Sequence, residues 1–111
     1  MLRGEVWWAV WPGDPNKKKR PVLIVSNNHK NSNPKLLDIV VVKITGLYRD
    51  DNSKKSVNAN EDVVIKLKKD SIVRCGSIFT IEKASLDSKA TSLSAADMKN
   101  VDEKLRTVLS L

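Results

Sequence analysis

The chain contains one cysteine, Cys75, and one histidine, His29. A single thiol forms no intrachain disulfide. A single imidazole rules out any mechanism that pairs one histidine as base with another as acid inside a protomer. Neither residue belongs to a metal-ligand pattern, and the acidic pairs Asp50-Asp51 and Glu61-Asp62 stand in polar, loop-like stretches without one. No metal and no cofactor is therefore expected. A glycine-rich phosphate loop, a Gly-x-Ser-x-Gly elbow and a dinucleotide fingerprint are all missing. The longest apolar run, Leu36 to Ile44, is broken by Asp38 and Lys43 and is far shorter than the roughly 20 residues of a bilayer crossing. No membrane span is expected. The N-terminus shows no uninterrupted apolar stretch leading to a small-residue cleavage site, and the expected compartment is the cytoplasm.

Positive charge is what the chain has in excess: 20 Lys and Arg against 13 Asp and Glu, a net +7. That balance favours a polyanionic partner such as nucleic acid, although the charge is spread along the chain rather than held in one tail. The length of 111 residues suits one domain spanning residues 1–111.

Glu5 to Trp11 is dense in Val and Trp at alternating positions, which predicts a strand covered on two faces, ended by the turn formers Pro12 to Asn16. Alternation sets Trp8 opposite Trp7 and Trp11; Trp8 is expected in the core, and the other two are open to base stacking or packing. Pro21 to Ser26 and Leu37 to Thr45 predict two further strands, separated by the polar, turn-rich Asn27 to Pro34. Gly46 to Lys55 is a polar loop and a candidate contact surface. Val63 to Leu67 resumes strand character, and Ser71–Cys75 and Ile78–Ile81 are two short strand-like pieces hinged at Gly76. From Ser94 the period changes: Met98, Val101, Leu105, Val108 and Leu109 form one apolar stripe, which predicts a terminal amphipathic helix with Ser94 as its N-cap. Short strands followed by one helix point to a mainly β (α+β) fold, a small, strongly curved antiparallel barrel with the helix packed against it.

An arginine and hydroxyl site is what remains for chemistry. Arg20, at the mouth of the strand Arg20-Pro21-Val22-Leu23-Ile24-Val25, keeps its charge at any accessible pH and offers forked donors suited to a phosphate. RNA is a substrate that suits such a site, because its own 2′-OH supplies the nucleophile. The protein then needs to align that oxygen, stabilise charge on the phosphoryl oxygens and move two protons. In this reading Arg20 and Arg74 clamp the phosphate, Thr45 bonds a non-bridging oxygen, and the base is unassigned. Each residue also has a plainer reading. Arg20 follows Lys17, Lys18 and Lys19 as one more cation of a solvated loop. Thr45 is an ordinary strand residue, Arg74 a salt-bridging one, and Cys75 a small buried hydrophobe.

The ordered segments Arg3-Gly4-Glu5-Val6-Trp7-Trp8, Arg20 to Val25, Val40-Val41-Val42-Lys43-Ile44-Thr45-Gly46, Ser71-Ile72-Val73-Arg74-Cys75 and Thr80-Ile81-Glu82-Lys83 resemble the MazF/PemK/Kid family of toxins over nearly the whole chain. The resemblance implies a homodimeric SH3-like antiparallel barrel of the CcdB/MazF type with a C-terminal helix. It implies the toxin of a type II toxin–antitoxin system, a metal-independent endoribonuclease that cuts single-stranded RNA at short sequences. The products would be a 2′,3′-cyclic phosphate and a 5′-OH. It further implies a cognate antitoxin whose acidic segment occupies the RNA groove. The family's catalytic positions fall on Arg20 and Thr45, and an Arg-Cys-Asp-Gln run of some members carries over to Arg74. Here that run is Arg74-Cys75-Gly76-Ser77, so the family's acid is replaced by Gly76. A loop that often reads Glu-Gln-x-Gly is here Asp14 to Lys19, and Lys17, Lys18 and Lys19 are expected to bind RNA without sequence readout. Asp14 and Glu82 are acids that the sequence does not place beside Arg20. On the same fold the alternative function is non-catalytic, a gyrase poison of the CcdB kind or a nucleic-acid-binding regulator.

Overall fold

The computed structural model describes residues 1–111. Six strands, β1 (Glu5–Val10), β2 (Lys19–Ile24), β3 (Asp38–Gly46), β4 (Asp62–Lys66), β5 (Asp70–Glu82) and β6 (Lys89–Ser92), form one sheet in the order β4-β5-β3-β2-β1-β6. Every pairing is antiparallel. The helices are α1 (Asn28–Ser32) and α2 (Ala95–Leu109). The mainly β, curled architecture agrees with the sequence reading, with β4 and β6 as the two edges of the sheet. No helix is long and apolar enough to cross a membrane.

The central strands β2 and β3 are apolar at consecutive positions because both faces of the sheet are covered. On one face Val6, Leu23, Val42, Ile44, Val73 and Cys75 pack with Val101 of α2. On the other, Ala9, Val22, Ile24, Ile39, Val41 and Ile81 pack with Leu86 from the connection after β5. Ser94 caps α2 by accepting from the Asp97 N–H at 3.1 Å, as its sequence predicts. The helix lies over β4 and β5 and meets the start of β1 at Gly4, where a Cβ would approach Met98 Cγ to 3.4 Å. Gly4 also holds φ +91°, a region that side chains rarely enter. Arg3 ties the same corner, pairing with Asp102 of α2 at 2.6 Å and donating to the Val25 carbonyl at 2.9 Å.

Four features depart from the sequence reading. Trp8 is 39% exposed rather than core, because α2 covers β1 only at its beginning; Trp7 and Trp11 pack against the second cluster instead. Residues 28–32, expected as turn, form α1, capped by Asn27 and anchored by buried Asn31, whose amide donates to the Ser26 carbonyl at 2.7 Å. The pieces hinged at Gly76 are one continuous strand, β5, whose register against β3 jumps from Val42–Ile78 to Lys43–Arg74. Cys75, Gly76 and Ser77 are the excess residues of that bulge. The fourth is β6, an exposed polar strand with no apolar alternation to mark it.

Glu5 fastens β6 to β1. Burial alone raises the pKa of its carboxyl group, but bonds from the Leu2 N–H at 2.9 Å, Trp7 Nε1 at 3.0 Å and Lys89 Nζ at 3.1 Å outweigh it. The result is a pKa of about 2 against the ordinary 4.5. A folded-state pKa below the unfolded one contributes stability above the unfolded value that is lost as protonation proceeds. Stability measured by urea denaturation is therefore expected to fall as pH drops from about 4.5 towards 2, and Glu5→Gln is expected to flatten that part of the profile.

Candidate active site

The candidate site follows from side-chain alternation. On β3, Lys43 and Thr45 point to the same face as Val41; on β2, Arg20 shares that face with Val22 and Ile24. The β2–β3 ladder ends at Val22–Lys43, and continuing its register would set Arg20 opposite Thr45. The strands part there instead. Across β3, Arg74 of β5 is the direct partner of Lys43. The parted strands open a cleft of about 370 Å³ lined by Trp11, Arg20, Lys43, Thr45, Lys55, Arg74 and Ser77.

The three residues expected to act, Arg20, Thr45 and Arg74, thus meet in one cleft. Arg74 is aimed by Asp62, a buried carboxylate of β4 that accepts from its Nη1 at 2.6 Å and from the Asn58 N–H at 2.8 Å. The Ser56 carbonyl accepts from the same guanidinium nitrogen at 3.1 Å. The salt-bridging reading of Arg74 is also true, since the ion pair is what holds the side chain in place. Arg20 lies over the Trp11 ring, 4.8 Å from its centroid, and Lys43 lies 3.8 Å from that centroid. Such contacts let a polarizable surface share the charge of two neighbouring cations.

Lys55 is a cleft residue that motif reasoning did not reach. Its ammonium donates to Thr45 Oγ1 at 2.7 Å. Because an ammonium has no lone pair, Thr45 must accept this bond, which leaves the hydroxyl hydrogen free to donate into the cleft. Burial, followed by the charges of Arg74, Arg49, Arg20 and Lys43, pushes the Lys55 pKa below the ordinary lysine value. Lys43 was within reach of the sequence, since it stands two positions from Thr45 on one strand face. Lys55 carried no such signal because a loop delivers it.

Asp14 is the second addition. The sequence did not set it beside Arg20, but its Oδ2 lies 4.0 Å from Arg20 Nε, and neither atom makes a hydrogen bond within the chain. It lines a smaller hollow of about 230 Å³ that shares Trp11, Arg20 and Lys43 with the cleft. Glu82 pairs across the ladder with Asp38, at the far end of β5, and lines neither space. At Gly76, where the family's acid is missing, the carboxylate of Glu61 overlies the backbone. A Cβ at that position would lie 2.8 Å from Glu61 Oε2.

The remaining expected residues lie outside the cleft. Lys17, Lys18 and Lys19 are exposed on the loop leading into β2. Lys19 points to the opposite face from Arg20 and pairs with Asp87 at 3.0 Å. His29 is exposed on α1. Cys75 is fully buried, and burial, reinforced by the Asp62 charge, pushes its thiol up to about 11, so it is a packing residue and not a nucleophile.

The chain is similar to known proteins along its whole length. Endoribonuclease MazF2 of Mycobacterium bovis and endoribonuclease MazF6 of Mycobacterium tuberculosis are each 29% identical to it over 117 residues, covering 100% of this chain and 98% of theirs. Among solved structures, an endoribonuclease from a mycobacterial species in complex with its cognate antitoxin superposes with a TM-score of 0.78 at 26% identity, covering 100% of this chain and 96% of that one. The family model of the PemK-like, MazF-like toxins of type II toxin–antitoxin systems matches residues 2–109, and the chain belongs to that family.

Proposed function

We propose that this toxin exerts its effect as a metal-independent endoribonuclease, with the cationic cleft as its active site. The observation that carries the reading is the convergence of Arg20, Lys43, Lys55 and Arg74 around the hydroxyl of Thr45. Four fixed cations with two carboxylates as counter-charges leave the cleft attractive to a phosphodiester, and a donor hydroxyl among them suits a phosphoryl oxygen. The similarity to proteins named endoribonucleases supports the same reaction. It gives no support to the gyrase-poison or regulator alternative.

In the proposed reaction Arg20 and Arg74 hold the non-bridging oxygens of one phosphate in single-stranded RNA, and Thr45 donates its free hydrogen to one of them. The 2′-OH of the upstream ribose attacks phosphorus in line, and the 5′ oxygen leaves, giving a 2′,3′-cyclic phosphate and a 5′-OH. The guanidinium groups stabilise the added charge electrostatically, because an arginine is too weak an acid to act as a base in its neutral form. Asp14 is the carboxylate nearest Arg20, and its buried Oδ2 accepts no bond within the chain; once RNA binding uncovers that atom, it suits the role of base for the 2′-OH. Lys17 and Lys18, exposed on the loop that also carries Asp14, would extend the contact along the RNA backbone. We assign the same cleft to an acidic segment of a cognate antitoxin, the chain to a homodimer, and its action to the cytoplasm.

Arg20→Ala is expected to lower kcat by at least about 100-fold while leaving the folded structure intact, since one transition-state donor is lost from the cleft. The measurement is cleavage of an end-labelled single-stranded RNA alongside circular dichroism of the variant. Wild-type cuts are expected to persist in EDTA; loss of cutting that magnesium restores would contradict the metal-independent mechanism. Lys17→Gln with Lys18→Gln is expected to make the log–log salt dependence of RNA binding shallower by about 1.4, two single-strand phosphate contacts. Lys19→Gln is expected to leave the slope unchanged, because its ammonium is paired with Asp87.

A further inference from the structure

We propose that Lys55 is the proton donor to the leaving 5′ oxygen, an assignment that rests on the ribonuclease reading of the cleft. Its backbone is fixed next to the end of β3: the Lys55 N–H donates to the Leu47 carbonyl at 2.8 Å, just beyond the Tyr48–Lys54 bridge. Its ammonium reaches Thr45 Oγ1 at 2.7 Å. A phosphate bonded by the Thr45 hydroxyl therefore has the Lys55 ammonium as an immediate neighbour.

The other donors of the cleft suit this role less well. Guanidinium groups hold their protons at any accessible pH, and Lys43 is turned onto the face of Trp11. Lys55 stands in a different environment. Arg49 of its own loop, Arg20 of β2, Lys43 of β3 and Arg74 of β5 all press positive charge on it. Neither nearby acid bonds it: Asp62 is paired with Arg74 at 2.6 Å, and Asp14 lies 4.0 Å from Arg20 Nε. An entering phosphodiester offsets that repulsion and favours the ammonium. As the bond to the leaving group breaks, the proton is released from a site where four cations oppose it, which makes transfer favourable in the direction the reaction needs.

The step balances as follows. The 2′ oxygen forms a bond to phosphorus, and its proton passes to the Asp14 carboxylate. The bond between phosphorus and the 5′ oxygen breaks, its electron pair goes to that oxygen, and the oxygen takes a proton from Lys55 Nζ. After product leaves, Asp14 gives its proton to water and the neutral amine of Lys55 takes one from water, which restores both groups.

The test compares wild type, Lys55→Met, Lys55→Arg and Arg20→Ala on two RNA oligonucleotides that contain a wild-type cut site. One has the natural 5′ oxygen at that site, and the other has a bridging sulfur in its place. A thiolate is a good leaving group without protonation, so the sulfur substrate does not need the donor. Lys55→Met and Lys55→Arg are expected to lose about 100-fold more rate, relative to wild type, on the oxygen substrate than on the sulfur substrate. Cutting of the sulfur substrate also shows that the variants are folded. Arg20→Ala is expected to be slow on both. An equal loss on the two substrates would mean that Lys55 only positions Thr45, and undiminished cutting of the oxygen substrate would mean that it is dispensable; either result overturns the proposal alone. Failure of the wild type to cut RNA would overturn the ribonuclease reading and this assignment with it.

Discussion

Mutual repulsion among Arg20, Lys43, Lys55 and Arg74 is the constraint around which the molecule is arranged. Like charges at this spacing disperse into water unless something rigid holds them. Here the rigid element is β3, an inner strand buried on both faces, and its register with β2 and β5 fixes three of the four cations. A slip of one residue would turn Arg20 or Arg74 to the helix-covered face and exchange an apolar side chain for a charge in the core. The apolar packing at Val22, Leu23, Val41 and Val42 is thus also what keeps the charges together. Asp62 and the Trp11 ring relieve part of the repulsion without filling the cleft.

In the proposed reaction a chain with one distant histidine handles protons with other groups. A carboxylate stands on one side of Arg20 and an ammonium against Thr45, and on that reading they take the place of the usual imidazole pair. Arginine provides permanence and lysine provides exchange. The difference between them follows from intrinsic acidity, and the surrounding cations widen its usefulness by opposing the lysine's charge.

What the sequence disclosed and what it concealed divide along physical lines. Strands β1 to β4 and the two halves of β5, though not their continuity, are legible because buried β-branched and aromatic residues mark them, and α2 is legible because its buried stripe repeats at the helical period. The edge strand β6, Lys-Ala-Thr-Ser, buries nothing and leaves no pattern. Helix α1 depends on Asn31 reaching the Ser26 backbone, a tertiary contact without a local signature. Trp8 was misplaced because alternation tells which face a side chain takes but not how far a helix extends over it. In the site, Arg20, Thr45 and Arg74 were legible from the order of motifs. Asp14 and Lys55 were not, since loops bring them in and loop paths are not periodic. Gly76 was legible as a missing acid, while the Glu61 carboxylate lying against it could be found only in three dimensions.

The three excess residues of β5 have a consequence for inheritance of the fold. Because Cys75, Gly76 and Ser77 have no opposing residues on β3, the ladder on one side of them does not count residues with the ladder on the other. The half of the strand that bears Arg74 and the half that bears Ile81 keep separate registers against β3, joined by a bulge in which Cys75 is packed in the core and Gly76 lies under Glu61. Ser77 is the residue of the bulge that lines the cleft, so an exchange there can reshape the cleft wall without re-registering either half of the strand.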